Sequence, residues 1–212
     1  MRYVPLFALL FTATSGLIME DLTPENKTPL AVTNSIAGLC SGFGLKAGEF
    51  VIVVVPATQE LYLVQNQRIV RTYPVSTSKN GIGNVAGSEK TPPGTHRIKA
   101  KIGAKAVLGT IFVGRVDTGK IATIFSDETD IPEDLVTTRI MWLEGQEAGV
   151  NRGEGIDSYA RYIYIHGTPE EGLIGTPQSH GCIRMKNADV VELFDLVPEG
   201  TLVEIWVDGK GN

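Results

Sequence analysis

The run FVIVVV, residues 50–55, decides how the rest of the chain is interpreted. It is dominated by β-branched side chains and stops at Pro56. Six residues are too few for a free-standing helix, and β-branched side chains favour strands. An apolar run without alternation is typical of a strand that is buried on both faces. The run therefore predicts a core strand with partner strands around it.

Segments of similar character follow this strand at regular intervals. Residues 60–64 and 68–73 flank the turn Gln65-Asn66-Gln67, which indicates a hairpin, and residues 74–78 continue it. The rigid turn TPPGT, residues 91–95, leads into a further strand. The chain has 24 glycines, largely between apolar runs, so many turns are expected. The pattern predicts a mostly-β fold, either a two-sheet sandwich or a barrel. The later predicted strands are residues 110–113, 121–125, 140–143, 161–165 and 202–207.

A single helix is predicted, after Met185. Asn187 is placed to cap it, and Asp189 lies in the first turn, where a negative charge suits the helix dipole. Apolar residues then recur at helical spacing until the segment Pro198-Glu199-Gly200 ends the helix. These apolar positions are Val190, Val191, Phe194 and Val197.

The two ends of the chain differ from the predicted domain, residues 49–207. Residues 1–16 have the layout of a secretory signal, with one positive charge, an apolar middle and small residues; an N-terminal core element is the alternative. The apolar run is too short to span a membrane, so no stable span is expected. Residues 17–48 are interpreted as a polar linker or lead-in, and residues 208–212 as a frayed tail.

Composition and charge exclude some classes of protein. A formal charge of −5 argues against a nucleic-acid partner, although it is compatible with a local cationic pocket. Two cysteines cannot form a disulfide framework. A single Cys40–Cys182 bridge is the alternative, and it would consume a thiol that the next segment suggests is reactive.

Residues 162–185 hold two of the three histidines and one of the two cysteines. His166 follows the predicted strand 161–165, so its backbone is held. A neighbouring imidazole lowers the pKa of a thiol, which makes Cys182 the candidate nucleophile and His166 its base. The amides around His180 and Gly181 are placed to face a developing oxyanion, with Gly181 allowing a sharp turn.

Arg184 completes the candidate site, two residues beyond Cys182. A guanidinium in that place suits a substrate carboxylate, which it holds through two parallel hydrogen bonds. The alternative is a zinc site built from His166, His180 and Cys182 with an open fourth position. It lacks a nearby carboxylate base, and the spacing of His180 and Cys182 is tight for two ligands. We therefore expect no metal and no cofactor.

The segment SHGCIR, residues 179–184, resembles the active-site signature of the L,D-transpeptidases of the YkuD family, with His166 in HGT as the upstream histidine. The resemblance covers about residues 50–207 and includes the turn at residues 91–95. It departs from the family at His96, where an aromatic residue is usual. It implies a mostly-β, YkuD-like catalytic domain of two sheets, with one helix after the cysteine.

The resemblance also implies roles and partners. Cys182 resembles the nucleophile and His166 the base, while His180 and Gly181 match positions that shape the oxyanion site. Ser179 and Gly167 match supporting positions, and Arg184 a substrate-orienting one. The implied substrates are peptidoglycan tetrapeptide stems, as donor and as acceptor, with a Cys thioester, release of D-Ala and a 3→3 cross-link as the product. Water or an envelope protein as the acceptor, and a non-catalytic peptidoglycan-binding module, are the alternatives. An exported protein of the periplasm or cell envelope is expected.

Overall fold

The computed structural model describes residue 38 and residues 42–207. The predicted signal, Cys40 and the C-terminal tail lie outside these residues. No helix within them is both long and apolar enough to cross a membrane. The strands are β1 (Phe50–Val55), β2 (Glu60–Gln65), β3 (Arg68–Ser76), β4 (Gly94–Ile102), β5 (Thr110–Val113), β6 (Val116–Ile121), β7 (Val136–Gly145), β8 (Tyr164–Gly167), β9 (Ile183–Met185) and β10 (Leu202–Ile205). A 3₁₀ turn covers Glu171–Leu173, and the helix α1 covers Asn187–Leu196.

The strands form one sheet that closes on itself. Its order is β4-β10-β1-β2-β3-β9-β8-β7, and β7 pairs again with β4. The hairpin of β5 and β6 extends from β7 outside this ring. The mostly-β prediction is thus confirmed, and of the two architectures left open the molecule has the barrel-like one.

Strand β1 is buried on both faces, as its composition predicts. Ile52 and Val54 point into the main core, together with residues of β2, β7 and α1. Val51, Val53 and Val55 pack into a second cluster on the other face. This second cluster explains why β1 shows no alternation of apolar and polar residues.

Two predicted strands are displaced along the chain. The segment predicted at 121–125 lies instead at Val116–Ile121, where every residue is exposed, so no apolar pattern marks it. The segment predicted at 161–165 begins only at Tyr164 and continues through Gly167. Tyr162 has φ +57°, which breaks the extended backbone before Ile163. His166 therefore lies inside a strand rather than just beyond its end.

The predicted helix exists, but the role expected for Asn187 was wrong. Lys186 is the N-cap residue and makes no side-chain capping bond, while Asn187 is already helical and buried. The Asn187 side-chain amide donates to the carbonyl of Thr168 and accepts from the hydroxyl of Thr137. The carboxylate of Glu171 accepts from the Asn187 backbone N–H. A carboxylate from the preceding loop therefore caps the helix.

We expect Asn187→Ala to lower the free energy of unfolding by roughly 1–3 kcal/mol, because it removes a buried amide that joins β7, the loop after β8 and α1. Urea denaturation followed by circular dichroism measures this. The neighbouring exposed residue supplies the control, Lys186→Ala, which should stay within about 0.5 kcal/mol of wild type. Equal destabilisation by both changes would contradict the bridging role of Asn187.

Candidate active site

Strands β8 and β9 run parallel and bring the two halves of the sequence motif together. Ile165 pairs with Ile183, and His166 pairs with Arg184. Cys182 immediately precedes β9, so this register sets it beside Tyr164 and diagonal to His166. Diagonal neighbours on one face of a sheet lie within about 7–8 Å, which an imidazole can reach across. The register thus sets Cys182 next to the strand that carries His166.

The Cys182 thiol is half-buried and held by the backbone of the neighbouring segment. Its Sγ accepts from the Tyr164 N–H at 3.4 Å and donates to the Tyr162 carbonyl at 3.4 Å. Burial, and next the negative charge of Asp134, raise the pKa of the Cys182 thiol to about 12. A lowered pKa of the Cys182 thiol is what a neighbouring imidazole predicts. In this structure desolvation outweighs the N–H donor and the nearby guanidinium groups, so the sulfur is a neutral thiol.

His166 is almost fully buried, and one of its ring nitrogens is engaged. Nδ1 lies 2.7 Å from the Gly167 carbonyl oxygen. A carbonyl only accepts, so Nδ1 carries the hydrogen and Nε2 keeps its lone pair. Nε2 is buried and meets no hydrogen-bond partner in the described part of the chain. Burial lowers the pKa of His166, and Arg184 adds to this, so the ring is neutral and its free nitrogen can accept a proton.

Gly167 is enclosed. A Cβ at this position would lie 2.5 Å from the Asn187 side-chain oxygen and 2.9 Å from the Thr137 carbonyl oxygen. Real Cβ atoms do not come this close, so a side chain here would displace the strand that carries His166. Glycine at this position therefore keeps β8 tight against β7 and α1.

Hydrogen bonds of the Ser179 hydroxyl stabilise the turn that carries Cys182. The hydroxyl donates to the Cys182 carbonyl at 2.6 Å and accepts from the Gly181 N–H at 3.2 Å. Gly181 has φ +123°, which favours glycine, and a Cβ there would approach the Lys90 carbonyl at 3.3 Å. Because the Gly181 N–H points at Ser179, an oxyanion site in this turn must draw on its other amides.

The structure places Arg184 in a buried ion network rather than facing solvent. Its guanidinium bonds Glu170 at 2.6 Å and Asp134 at 2.7 Å, and its side chain is 4% exposed. The second oxygen of Asp134 lies 2.8 Å from Nδ1 of His180. Arg184 thus holds the carboxylate that orients His180. Its role in substrate binding, expected from the sequence, stays a prediction.

The pKa values of the two carboxylates in this network shift in opposite directions, although burial raises both. For Asp134, burial opposes the charge, but Arg184, His166 and His180 together hold its pKa below the usual range. For Glu170, burial outweighs the N–H of Ile131 and the charge of Arg184, and raises its pKa. Asp134 is therefore the firmly charged member that faces the two histidines.

Neither Asp134 nor Glu170 was among the site residues expected from the sequence. Asp134 lies between β6 and β7, in a segment that also contains Asp127, Glu128, Asp130 and Glu133. The one available signal was that a buried arginine needs carboxylate partners. Nothing in the pattern distinguishes Asp134 from its acidic neighbours, because the choice depends on how the loop folds over β9.

The described residues do not form the zinc site that was the alternative interpretation of the sequence. Between residues 42 and 207 no group of three or more His, Cys, Asp or Glu side chains is arranged to hold a metal ion. The Nδ1 atoms of His166 and His180 are already engaged, by the Gly167 carbonyl and by Asp134.

Comparison with known proteins identifies the family. The model of the L,D-transpeptidase catalytic domain, YkuD, matches residues 49–205. This match covers well over half of the chain, and the chain belongs to that family. The recognition made from SHGCIR and the upstream histidine is therefore confirmed.

Individual proteins and solved structures are also similar to the chain. A Salmonella typhimurium protein named "Probable L,D-transpeptidase ErfK/SrfK" is 28% identical over 232 residues, covering 96% of this chain and 72% of that protein. Bacillus subtilis YkuD is 56% identical over 41 residues, which are 19% of this chain and only 25% of that protein. Among solved structures, an L,D-transpeptidase from Mycobacterium smegmatis superimposes with a TM-score of 0.45 at 20% identity, covering 75% of this chain and 59% of that one. Bd1075 of Bdellovibrio bacteriovorus gives a TM-score of 0.46 at 16% identity, covering 76% and 48%.

We expect Cys182 to react slowly with iodoacetamide at neutral pH. With a thiol pKa of about 12, about one thiol in 10⁵ is ionised at pH 7. The alkylation rate should rise about tenfold per pH unit through pH 10, without the plateau that an ordinary thiol of pKa about 8.5 shows above pH 9. Mass spectrometry of the Cys182 peptide measures the rate, with glutathione as the control. A plateau near pH 8 would contradict a thiol held neutral by burial.

Asp134→Asn should make Cys182 more reactive, since the negative charge of Asp134 is the second cause of the raised thiol pKa. Alkylation at pH 9 should be faster than in wild type, while unfolding in urea should occur earlier because Arg184 loses a partner. The exposed neighbour Glu133 supplies the control Glu133→Gln, for which neither quantity should change. Unchanged or slower alkylation of Asp134→Asn would refute this electrostatic coupling.

Proposed function

We propose that the chain is a peptidoglycan L,D-transpeptidase that forms 3→3 cross-links through a thioester on Cys182, with release of D-Ala. Membership of the L,D-transpeptidase family supports the reaction class. The observation that carries the proposal is the state of His166, whose Nδ1 is held by the Gly167 carbonyl. Its Nε2 meets no hydrogen-bond partner among the described residues, on the strand next to the one that Cys182 precedes. A general base for a thiol needs such a lone pair on a fixed ring.

In the first half of the proposed reaction, Sγ of Cys182 attacks the L,D-side carbonyl of the diamino-acid residue of a donor tetrapeptide. The thiol proton passes to Nε2 of His166 as the S–C bond forms. The C–N bond to D-Ala then breaks, and His166 returns the proton to the leaving amine. Because thiol and imidazole both begin neutral, the proton transfer accompanies the attack rather than preceding it.

Backbone amides of the turn that carries Cys182 would stabilise the oxyanion formed in this step. The hydrogen bond from the Ser179 hydroxyl to the Cys182 carbonyl fixes the orientation of the turn. An oxyanion site that is built before the substrate arrives needs no reorganisation during the reaction. The network of Asp134, Arg184 and His180 holds the side of the turn that precedes Cys182.

In the second half, an amine from a second stem attacks the thioester carbonyl and gives its proton to His166, and the thiol is restored. Water in place of the amine would make the chain an L,D-carboxypeptidase, and an amine of an envelope protein would attach that protein to the wall. Exclusion of water from the acyl-enzyme decides between these outcomes. Peptidoglycan lies outside the cytoplasm, so the proposal includes export, with residues 1–16 as the signal and the periplasm or cell envelope as the location.

Incubation of the protein with disaccharide-tetrapeptide, followed by mass analysis of the products, tests the proposal. A cross-linked dimer with one D-Ala released per bond is the expected result. A tripeptide without dimer would assign the carboxypeptidase. A persistent Cys182 adduct without dimer would favour a protein acceptor. An unchanged substrate would overturn the enzymatic assignment and leave a binding module.

Variants of the two central residues sharpen this test. Cys182→Ala should abolish both the acyl adduct and D-Ala release. His166→Gln should reduce the rate by about 10²–10⁴-fold, the usual worth of a general base. Cys40→Ala removes the other cysteine and should retain wild-type turnover. Release of D-Ala by Cys182→Ala at the wild-type rate would refute the nucleophile assignment.

A further inference from the structure

We infer that the Arg115 guanidinium binds a carboxylate of the peptide substrate beside Cys182. The inference rests on the proposed function in taking a peptide as the ligand. It concerns a residue of the exposed β5–β6 hairpin, which lies outside the sequence motif.

The hairpin turn holds Arg115 in a conformation that costs free energy. Gly114 and Arg115 connect β5 to β6, with φ values of +55° and +71°. Two-residue turns with positive φ at both positions strongly favour glycine or asparagine at each of them. Arginine at the second position is strained, and strain of this kind is concentrated at sites of function. Arginine at this position therefore has a conformational cost that glycine would avoid.

A platform of aromatic rings holds the guanidinium. Its central carbon lies 4.5 Å from the ring centre of Trp142 and 5.0 Å from that of Tyr162. One terminal nitrogen donates to the Tyr164 hydroxyl at 3.1 Å. Trp142 is itself stacked on Tyr159, with ring centres 3.9 Å apart. The rings fix the side chain of Arg115 although it lies on an exposed hairpin.

This platform adjoins the reactive thiol. The Tyr164 backbone N–H contacts Sγ of Cys182, and the Tyr164 hydroxyl contacts Arg115. Tyr164 therefore links the two groups, with a contact of 3.4 Å to the thiol at its backbone and one of 3.1 Å to the guanidinium at its hydroxyl. In a peptide whose carbonyl meets Cys182, the carboxylate of the leaving residue lies about 3.3–3.6 Å of chain further on. The inference is that a carboxylate on this side of Cys182, on the leaving residue or on the longer diamino-acid side chain, meets Arg115.

The guanidinium keeps donors for a ligand. It has five N–H groups, and in the described ranges only the Tyr164 hydroxyl accepts from it. On its other side Arg115 lines an open groove of about 550 Å³, together with Lys101, Lys105 and Asp117. Positive groups outnumber negative ones there, in a protein with a net charge of −5. The Lys101 ammonium is already bonded to the carbonyls of Phe194 and Val197, so Arg115 and Lys105 are the cations available to an anionic ligand.

The rival explanation is that Arg115 only latches the hairpin onto the aromatic rings. If Arg115 were only a latch, the affinity for a peptide would not depend on the charge of the peptide. If Arg115 binds a carboxylate, the affinity would depend on that charge. Two peptide carboxylates have the right chemistry: the C-terminal group of the leaving residue and the group on the diamino-acid side chain. Peptides in which one or the other is converted to a carboxamide distinguish the two sources and the latch.

The test measures equilibrium binding of these peptides to the Cys182→Ala protein, so that no turnover is needed. The free-acid peptide should bind about tenfold or more tightly than the matching amide, the usual worth of a charge-assisted pair. Adding Arg115→Gly should abolish that difference without harming the fold, because glycine suits the turn. Arg115→Lys should restore part of it. The control is Lys120→Ala, which removes one exposed charge from the same hairpin and should preserve the difference.

The outcomes separate this inference from the proposed function. If wild type does not release D-Ala but the Arg115-dependent preference for the free acid remains, the function fails and the carboxylate site stands. If wild type turns over but acid and amide bind equally, Arg115 is a latch and the inference is overturned. If Arg115→Gly weakened the binding of the free-acid and the amide peptide equally, the inference would also be overturned. Absence of peptide binding to the Cys182→Ala protein would overturn the inference, and absence of D-Ala release by wild type as well would overturn the proposed function.

Discussion

The parallel pairing of β8 with β9 is the constraint on which the site depends. Parallel neighbours cannot be joined by a tight turn, so the chain must leave the end of β8, cross over and return to the start of β9. The loop between Gly167 and Ile183 makes this crossover, and hydrogen bonds from Ser76 to Thr176 and from Gln178 to Thr77 tie it to β3. Closure of the sheet holds both strands from the outside as well, with β7 next to β8 and β3 next to β9.

Burial of charge is the second constraint, and the crossover loop satisfies it. Arg184 lies on the strand opposite His166, where a lone guanidinium would be strongly destabilising. Glu170 comes from the crossover loop and Asp134 from the loop before β7, so two distant segments close over one cation. Removing either carboxylate leaves a buried charge with too few partners. The network therefore couples the position of His180 to the folding of both loops.

The sequence predicts the parts of this molecule that follow local rules. The run at 50–55 predicts a strand buried on both faces, and the structure has a core on each side of it. Strand β6 was misplaced because all of its residues are exposed, so it has no apolar periodicity to detect. The family was recognised from a short motif, since SHGCIR and an upstream histidine are specific even where flanking strands are not.

Contacts that depend on tertiary packing could not be predicted from the sequence. Asn187 is a good cap by type, yet its amide is used to join β7 to the crossover loop, and Glu171 supplies the cap instead. Asp134 and Arg115 belong to segments without periodicity, and their importance comes only from what lies across from them. The pKa of Cys182 was predicted with the wrong sign because sequence shows the neighbouring imidazole but not the depth of burial.

The ion network has a definite consequence for proton transfer between Cys182 and His166. Asp134 raises the pKa of both groups, so it disfavours the thiolate and favours the imidazolium. Arg184 lowers both and acts in the opposite sense on each. Desolvation is the largest influence on both groups and keeps them neutral. It disfavours two separate charges far more than two opposite charges in contact. A substrate that brings its carbonyl to Sγ disperses the developing negative charge onto the oxyanion, so the neutral resting state is compatible with attack at neutral pH.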